Sequence, residues 1–294
     1  MARAQPMPAW KPAVVLLVSV CAVSTGAIFA RLADAPAIVI AAYRVGVAFV
    51  ILAPFPWWKD RHELRSLTRR HVLLAIASGL FLAAHFATWI ASLDHTSVAN
   101  SVVLVNTIPL WVGLLMPLVT RQRPGRMLVL SILLSTTGSF VMCATDLHLS
   151  PGHLQGDMLA LVGAVCAAFY LLLGKTVRQR LSLLAYVALC YGSATCVLLF
   201  VTRVMGTPLV GYSWSTLGAM LGMALVSQIM GHTGFNWSLK WLSPGFVAVC
   251  LLGEPVLATT WAYIMFGERL TAHQGLGAAL VLLGIYSAAR AERE

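Results

Sequence analysis

The stretch SLDHTSVANSVVLVNTIP at residues 92–109 is echoed 146 positions later by SLKWLSPGFVAVCLLGEP at residues 238–255. The two stretches share their opening Ser-Leu pair, a serine five positions on, a later valine and the closing proline. The same offset continues without a gap and pairs Gly138 with Gly284. The chain therefore contains an internal repeat, and we expect a duplicated fold.

The composition around this repeat excludes a soluble protein. Of the 294 residues, 59% are apolar and only 10% are charged, and the mean hydropathy is +0.84. Soluble domains carry about 25% charged residues. A chain this apolar cannot cover its surface with polar groups, so we expect lipid to be its solvent.

The net charge of +10 first suggests a nucleic-acid partner. The basic residues, however, lie in short clusters between apolar segments, as membrane topology requires. All six cysteines lie inside apolar segments without metal-type spacing, so we expect neither a disulfide nor a metal site. We expect membrane lipid and a small-molecule substrate as partners, no nucleic acid and no cofactor. The sequence does not define an oligomeric state.

Ten segments are long enough for a helix of about 20 residues to cross the bilayer. They lack the two-residue alternation of barrel strands, so we predict an all-α integral membrane protein. The predicted spans are Pro12–Leu32, Ala35–Phe55, Val72–Leu93, Ser97–Val119, Met127–Ala144, Gly156–Lys175, Leu183–Val204, Trp214–Trp237, Pro244–Phe266 and Ala272–Arg290. The longest polar connection is predicted at Trp57–His71.

The Lys and Arg residues predict the orientation of the ten spans. Sixteen fall on the side of the N-terminus, three (Arg31, Arg203 and Arg269) fall on the other side, and Arg44 lies within a span. The positive-inside rule then places both termini in the cytoplasm, and we expect a multi-pass protein of a bacterial-type inner membrane.

The repeat has a direction that follows from the number of spans. Each half, residues 1–145 and residues 146–294, holds five spans, so the second copy enters the membrane from the opposite face. The loop Arg121–Arg126 then lies inside and its counterpart Gly267–Thr271 lies outside. Two inverted five-helix repeats around a central cavity are typical of secondary transporters.

The second half also carries motifs of a known family. It resembles the second repeat of EamA-type proteins, which belong to the drug/metabolite transporter superfamily, at Ser243–Pro244, Gly253–Pro255, Phe266–Thr271, Gln274, Gly277 and Gly284. The first repeat keeps the proline in Thr107–Pro109 but has no glutamate before it. The segment Ala84–Trp89 is similar to an amino-acid exporter of this superfamily. That resemblance implies efflux of aromatic and other bulky neutral amino acids.

Two spans carry polar stripes at helical spacing, and each polar group inside a membrane needs a partner or a wet cavity. A shared cavity would explain both stripes together, whereas hydrogen bonds between helices would explain each alone. The stripes are His85, Trp89 and Ser92 in the third span, and Gln228, His232 and Asn236 in the eighth.

Two charged residues lie well inside spans. Glu254 is a candidate proton site, because a dry interior disfavours a charged carboxylate, or a structural acceptor for backbone groups freed beside Pro255. Arg44 is a candidate for binding a substrate carboxylate, for pairing with Glu254, or for holding helices together.

Prolines and aromatic residues complete the candidate set. Pro109 and Pro255 should bend their helices at equivalent depths and are candidate hinges, although static kinks are the alternative. Aromatic side chains within spans either stack on a flat substrate or pack against neighbours. They are Trp89, Trp111, Tyr170, Tyr191, Trp237 and Trp261, of which Trp89, Trp111 and Tyr170 join His85, Gln228, His232 and Arg44 as predicted substrate-binding residues.

The sequence favours a secondary exporter that works by alternating access. A membrane-embedded enzyme acting on a lipid-linked substrate is the main alternative, but the acids and histidines of the outer loops are scattered and we predict no catalytic residue. A channel is a third possibility. No phosphate-binding glycine loop is present, so the chain is not expected to use ATP directly.

Overall fold

The computed structural model describes residues 10–59, 61–144, 153–266 and 271–293. Within these ranges all regular secondary structure is helical. The predicted repeat boundary at residues 145–146 and the family motif residues 267–270 lie outside the described residues.

The helices follow one another in the order expected for ten spans. The first five spans consist of α1 (Trp10–Val23) and α2 (Gly26–Leu32); α3 (Ala37–Leu52) and α4 (Pro54–Lys59); α6 (Arg69–Ser92); α7 (Val98–Val105) and α8 (Ile108–Thr120); and α9 (Arg126–Cys143), with the short α5 (Arg61–Arg65) between the second and third spans. The sixth and seventh spans are α10 (Leu154–Arg178) and α11 (Leu183–Val204), and the eighth consists of α12 (Trp214–Gly222), a π-helical segment (Met223–His232) and α13 (Thr233–Ser238). The ninth span consists of α14 (Pro244–Leu251) and α15 (Gly253–Phe266), and the tenth is α16 (Ala272–Ala291).

Within the described residues, nine helical stretches are long and apolar enough to cross a membrane. The remaining span, from Trp214 to Ser238, is helical throughout but passes from α to π geometry and back. The prediction of an all-helical membrane protein with ten spans is therefore confirmed.

Most span boundaries agree with the predicted ones, and two features differ. The polar connection predicted at Trp57–His71 is shorter, because the second span continues to Lys59 and α5 adds a further helical turn. The first, fourth and ninth spans are each interrupted near their middle, which the apolar pattern did not reveal.

Hydroxyl side chains set the starts of many spans. A serine or threonine at the N-cap accepts a hydrogen bond from a backbone N–H of the first turn, which satisfies a donor that the helix itself cannot pair. These N-caps are Thr68, Ser97, Ser182, Ser213, Ser243 and Thr271.

The packing of the spans has the two-fold symmetry of a duplicated fold. The third span packs on the sixth, and the eighth packs on the first in the same way. The second packs on the seventh, the fourth on the ninth and the fifth on the tenth, so these pairs join each helix to its own counterpart. With five spans per repeat, the two halves are inverted relative to the membrane, as predicted.

The fifth and tenth spans cross at backbone contact. A methyl group added to Gly277 would lie 2.5 Å from the carbonyl oxygen of Gly138 and 2.6 Å from the backbone N of Met142. A methyl group at Gly138 would in turn lie 2.7 Å from the carbonyl oxygen of Gly277. Small residues therefore let the two helices approach more closely than side chains would allow.

This crossing predicts the effect of a single methyl group. Gly277→Ala should force the two helices apart and cost about 1–3 kcal/mol of stability by overpacking. Gly275→Ala on the same helix is the matched control, because its added methyl group meets no atom within 4 Å. The melting temperature of each purified variant in detergent measures the difference, and equal values for the two variants would contradict the tight crossing.

Candidate functional site

A cavity lies at the centre of the helix bundle. Side chains of the first, second, third, fourth, sixth, eighth and ninth spans line it. Both repeats contribute to the lining, as expected for a site on the pseudo-two-fold axis.

Four spans whose backbone is irregular near the middle of the membrane meet this cavity. The first span is interrupted between Val23 and Gly26, the fourth at residues 106–107 and the ninth at residue 252, and the eighth ends its π-helical segment at His232. Residues beside each of these irregularities line the cavity. Non-helical backbone at membrane depth is tolerated only where protein or a cavity covers it, so the irregularities mark the cavity as the site.

Hydroxyl groups satisfy the backbone carbonyls at the irregular positions. Ser24 and Thr25 donate to the carbonyl oxygens of Cys21 and Ala22, both at 2.7 Å. Thr107 donates to Leu104 O at 2.6 Å, and Thr233 donates to Gln228 O at 3.3 Å. The interruptions are therefore supported by local side chains and belong to the fold.

The two predicted hinge prolines lie just beyond interruptions. Pro109 is in the first turn of α8, and Pro255 is in the first turn of α15. Proline fits the first turn of a helix because its missing N–H would have no intrahelical partner there. Each proline thus stands where one half-helix starts, and the hinge role itself stays a prediction.

Phe86 is the centre of the aromatic lining of the cavity. Its ring lies 5.0 Å from that of His85 and 5.2 Å from that of His232, which meets it edge-on. The guanidinium carbon of Arg44 lies 4.1 Å above the same ring. Sequence patterns pointed to both histidines and to Arg44 but not to Phe86, which looked like one apolar residue among many.

Further rings extend this group in both directions. The indole of Trp89 is parallel to the His85 ring, with centroids 6.1 Å apart. On the other side, Tyr170 and Phe235 lie 6.0 Å and 5.7 Å from the His232 ring. The cavity therefore has a wall of aromatic rings contributed by three spans.

Arg44 is held within this wall by a buried amide. Its Nε donates to Gln228 Oε1 at 2.9 Å, and both side chains are buried. Glu254 lines the same cavity. Among the described residues, no hydrogen bond joins the Glu254 carboxyl group to the backbone. Gln228 itself does not line the cavity; it holds the side chain of Arg44, which does.

Not every member of the polar stripes reaches the cavity. Asn236 accepts a hydrogen bond from Tyr170 at 2.9 Å and donates to Tyr191 at 3.3 Å. Ser92 donates to the carbonyl oxygen of Trp89 and pairs with Ser101. The stripes therefore combine both interpretations: His85, Trp89 and His232 line the cavity, whereas Asn236 and Ser92 join helices.

The lining also contributes polar groups. Trp89 Nε1 and His232 Nδ1 are buried and have no hydrogen-bond partner among the described residues. Asn106, which the sequence reasoning missed, also lines the cavity at the interruption of the fourth span. Its polar side chain three residues before the repeated proline is the signal that could have identified it.

Besides Gln228, a second predicted substrate-binding residue lies outside the lining. The Trp111 indole donates to Thr107 Oγ1 at 3.2 Å and packs against the apolar core, and it is not among the residues that line the cavity. Residues 106–107 interrupt the span, so α7 and α8 are separate helices. Helical spacing from one half of the span therefore does not predict which residues of the other half face the centre.

The cavity is narrow in this conformation. Its volume is about 60 Å³, which is room for roughly four waters. A larger solute therefore requires a wider state of the same site.

Comparison with known proteins supports the architecture described above. The EamA-like transporter family matches the chain twice, over residues 10–144 and residues 154–290. A crystal structure that is 14% identical in sequence superposes with a TM-score of 0.77 over 96% of this chain and 99% of that one, which shows the shared fold.

Similar proteins are named as transporters. The threonine/homoserine exporter RhtA of Escherichia coli K12 is 27% identical over 285 residues, which cover 94% of this chain and 90% of that protein. An uncharacterized transporter of Archaeoglobus fulgidus is 25% identical over 278 residues, 94% of this chain and 95% of that protein. Because the family matches both halves of the chain, this multi-pass membrane protein belongs to the EamA-like transporter family of the drug/metabolite transporter superfamily.

Proposed function

We propose that the chain exports small amphipathic metabolites, chiefly aromatic and other bulky neutral amino acids, by alternating access. One observation carries this proposal: a single buried cavity brings together a guanidinium, a carboxyl group and a wall of aromatic rings. An amino acid presents the complementary groups, namely a carboxylate, an ammonium and a side chain.

Arg44 is the proposed partner of the substrate carboxylate. Of its guanidinium nitrogens, only Nε has a hydrogen-bond partner among the described residues, namely Gln228, and Arg44 lines the cavity. Charge-assisted hydrogen bonds between guanidinium and carboxylate are among the strong ones in proteins. Glu254 on the ninth span is the proposed partner of the ammonium group and the proposed proton site.

The aromatic wall supports a flat or bulky side chain. Phe86, Trp89 and Tyr170 present ring faces and edges to the same space. Aromatic rings pack well against other rings in offset or edge-to-face geometry, so an aromatic substrate gains more from this wall than a small one.

A second candidate substrate class follows from the relatives. RhtA is named an exporter of threonine and homoserine, and these amino acids carry the same ammonium and carboxylate. Asn106 in the lining offers a partner for a hydroxyl side chain. A comparison of tryptophan with threonine flux therefore separates the two classes.

Alternating access is supported by the size and symmetry of the site. Room for a few waters does not hold an amino acid, so binding requires the bundle to open. Two inverted repeats that pack symmetrically can adopt two related conformations facing opposite sides. The interrupted fourth and ninth spans, with Pro109 and Pro255 at their half-helix starts, are the proposed moving parts.

The proposed orientation places both termini in the cytoplasm of a bacterial inner membrane. Its support is the excess of Lys and Arg on the N-terminal side of the predicted spans. A tag on the C-terminus should accordingly be reachable from the cytoplasm.

Reconstituted protein should release labelled tryptophan from proteoliposomes with saturable kinetics. Unlabelled tryptophan should compete more strongly than threonine, because the aromatic wall contributes binding only to the former. Liposomes without protein are the baseline. Non-saturable flux would indicate a channel, and the absence of flux for every amino acid tested would refute the proposal and favour the alternative of a membrane-embedded enzyme.

The two cavity histidines should be needed for this flux. His85→Ala and His232→Ala each remove a ring from the wall, and we expect tryptophan efflux to fall about tenfold or more while the protein still inserts in the membrane. His71→Ala is the matched control, because His71 lies at the start of α6 and bonds Thr68 there. Normal flux in both cavity variants would rule out the proposed binding wall.

Glu254 should couple transport to a proton gradient if its carboxyl group exchanges protons with the cavity. Glu254→Gln should then transport at the same rate with and without a pH gradient, while Glu254→Asp keeps a response to the gradient. Efflux of labelled tryptophan at both conditions provides the measurement. A Glu254→Gln protein that is still accelerated by the gradient would show that the proton site lies elsewhere.

A further inference from the structure

The His85 ring has a defined orientation in the cavity wall. Its Nδ1 lies 2.9 Å from the backbone carbonyl oxygen of Gly163 on the sixth span. A carbonyl oxygen can only accept a hydrogen bond, so Nδ1 must carry the hydrogen. This contact fixes which of the two ring nitrogens is the donor.

Gly163 makes this contact possible because α10 approaches α6 closely at that point. A methyl group added to Gly163 would lie 3.1 Å from Thr88 Oγ1 and 3.4 Å from the backbone N of Trp89. The Trp89 indole, parallel to the imidazole within 5°, holds its other side. The ring is therefore positioned from two directions and cannot turn freely to exchange its nitrogens.

The remaining nitrogen, Nε2, is the one left for the cavity. It has no hydrogen-bond partner among the described residues, and His85 lines the cavity. A second positive charge on this ring would have to share the buried site with the Arg44 guanidinium, so the site favours the neutral ring. Neutral imidazole with a hydrogen on Nδ1 presents a lone pair on Nε2, which is a hydrogen-bond acceptor.

We propose that His85 Nε2 accepts a hydrogen bond from the substrate's amino group, so that the transporter selects amines carrying at least one N–H and rejects fully N-methylated amino acids. This inference rests on the proposed function and adds a rule for the amino end of the substrate. Aromatic rings alone would also attract a quaternary ammonium through cation–π contact. A fixed acceptor discriminates against that ligand, because a quaternary nitrogen has no N–H to donate to the lone pair.

L-tryptophan and its N,N,N-trimethyl derivative test this rule, since both carry a carboxylate, a positive nitrogen and the same indole. Binding of each to the purified full-length protein in lipid nanodiscs is measured by calorimetry. We expect the wild-type protein to bind tryptophan about tenfold or more tightly than the trimethyl derivative.

Variants of His85 separate the acceptor from the ring. His85→Phe keeps a flat ring beside Trp89 but has no acceptor, and should bind the two ligands with similar affinity. His85→Gln can donate to Gly163 O through its amide nitrogen and offer its amide oxygen to the ligand, so it should keep the preference. His71→Phe, on the same helix but away from the cavity, should behave as the wild type.

The possible outcomes distinguish the rule for the substrate's amino group from the proposed function of amino-acid export. A wild-type protein that binds both ligands equally would overturn the rule and leave amino-acid transport standing. A protein that binds neither these ligands nor any other amino acid would overturn the proposed function and the rule together.

Ring ¹⁵N NMR of the wild-type protein tests the same bond without a variant. The Nε2 resonance of His85 should shift when tryptophan is added, and an unchanged resonance at saturation would contradict the proposed bond.

Discussion

Hydrocarbon offers no hydrogen-bond partner to a backbone group, and this constraint governs the whole architecture. A span can leave helical geometry only where other protein groups or a cavity satisfy the freed N–H and C=O groups. In this chain the irregularities of the first, fourth, eighth and ninth spans converge on one place, and hydroxyl groups such as those of Ser24, Thr107 and Thr233 bond the local carbonyls. The interruptions of the helices therefore occur at the cavity, because the freed backbone groups can be satisfied there.

The same constraint sorts the polar side chains into two groups. Asn236 and Ser92 have partners on neighbouring helices and contribute to packing. Trp89, His85 and His232 line the cavity, and Trp89 Nε1 and His232 Nδ1 are buried without a partner among the described residues. A buried donor or acceptor without a protein partner is costly, so the second group is retained at the expense of stability in the empty state. Under the proposed function, a ligand with matching groups recovers that cost.

Bilayer thickness explains why the spans were predictable from the sequence. A helix must be long and apolar to cross, so Leu183–Val204 has the predicted bounds without any knowledge of its neighbours. The π-helical segment was not predicted; it packs against the first span, where Gly231 lies close to Val23, and this contact is remote in sequence. Phe86 was missed for a similar reason: its importance comes from contacts with Arg44 and His232, which are remote in sequence.

The glycine crossing of the fifth and tenth spans has a consequence for how the two halves of this chain can evolve. Gly138 and Gly277 each occupy the space into which a side chain of the other would project. A bulkier residue at either glycine would therefore clash with the backbone of the other span, however far the rest of the two repeats has diverged. Positions that line the cavity are not constrained in this way, because open space separates them from the residues opposite. Duplication thus leaves one helix crossing at which both halves must keep small residues, and a centre where each half is free to acquire different chemistry.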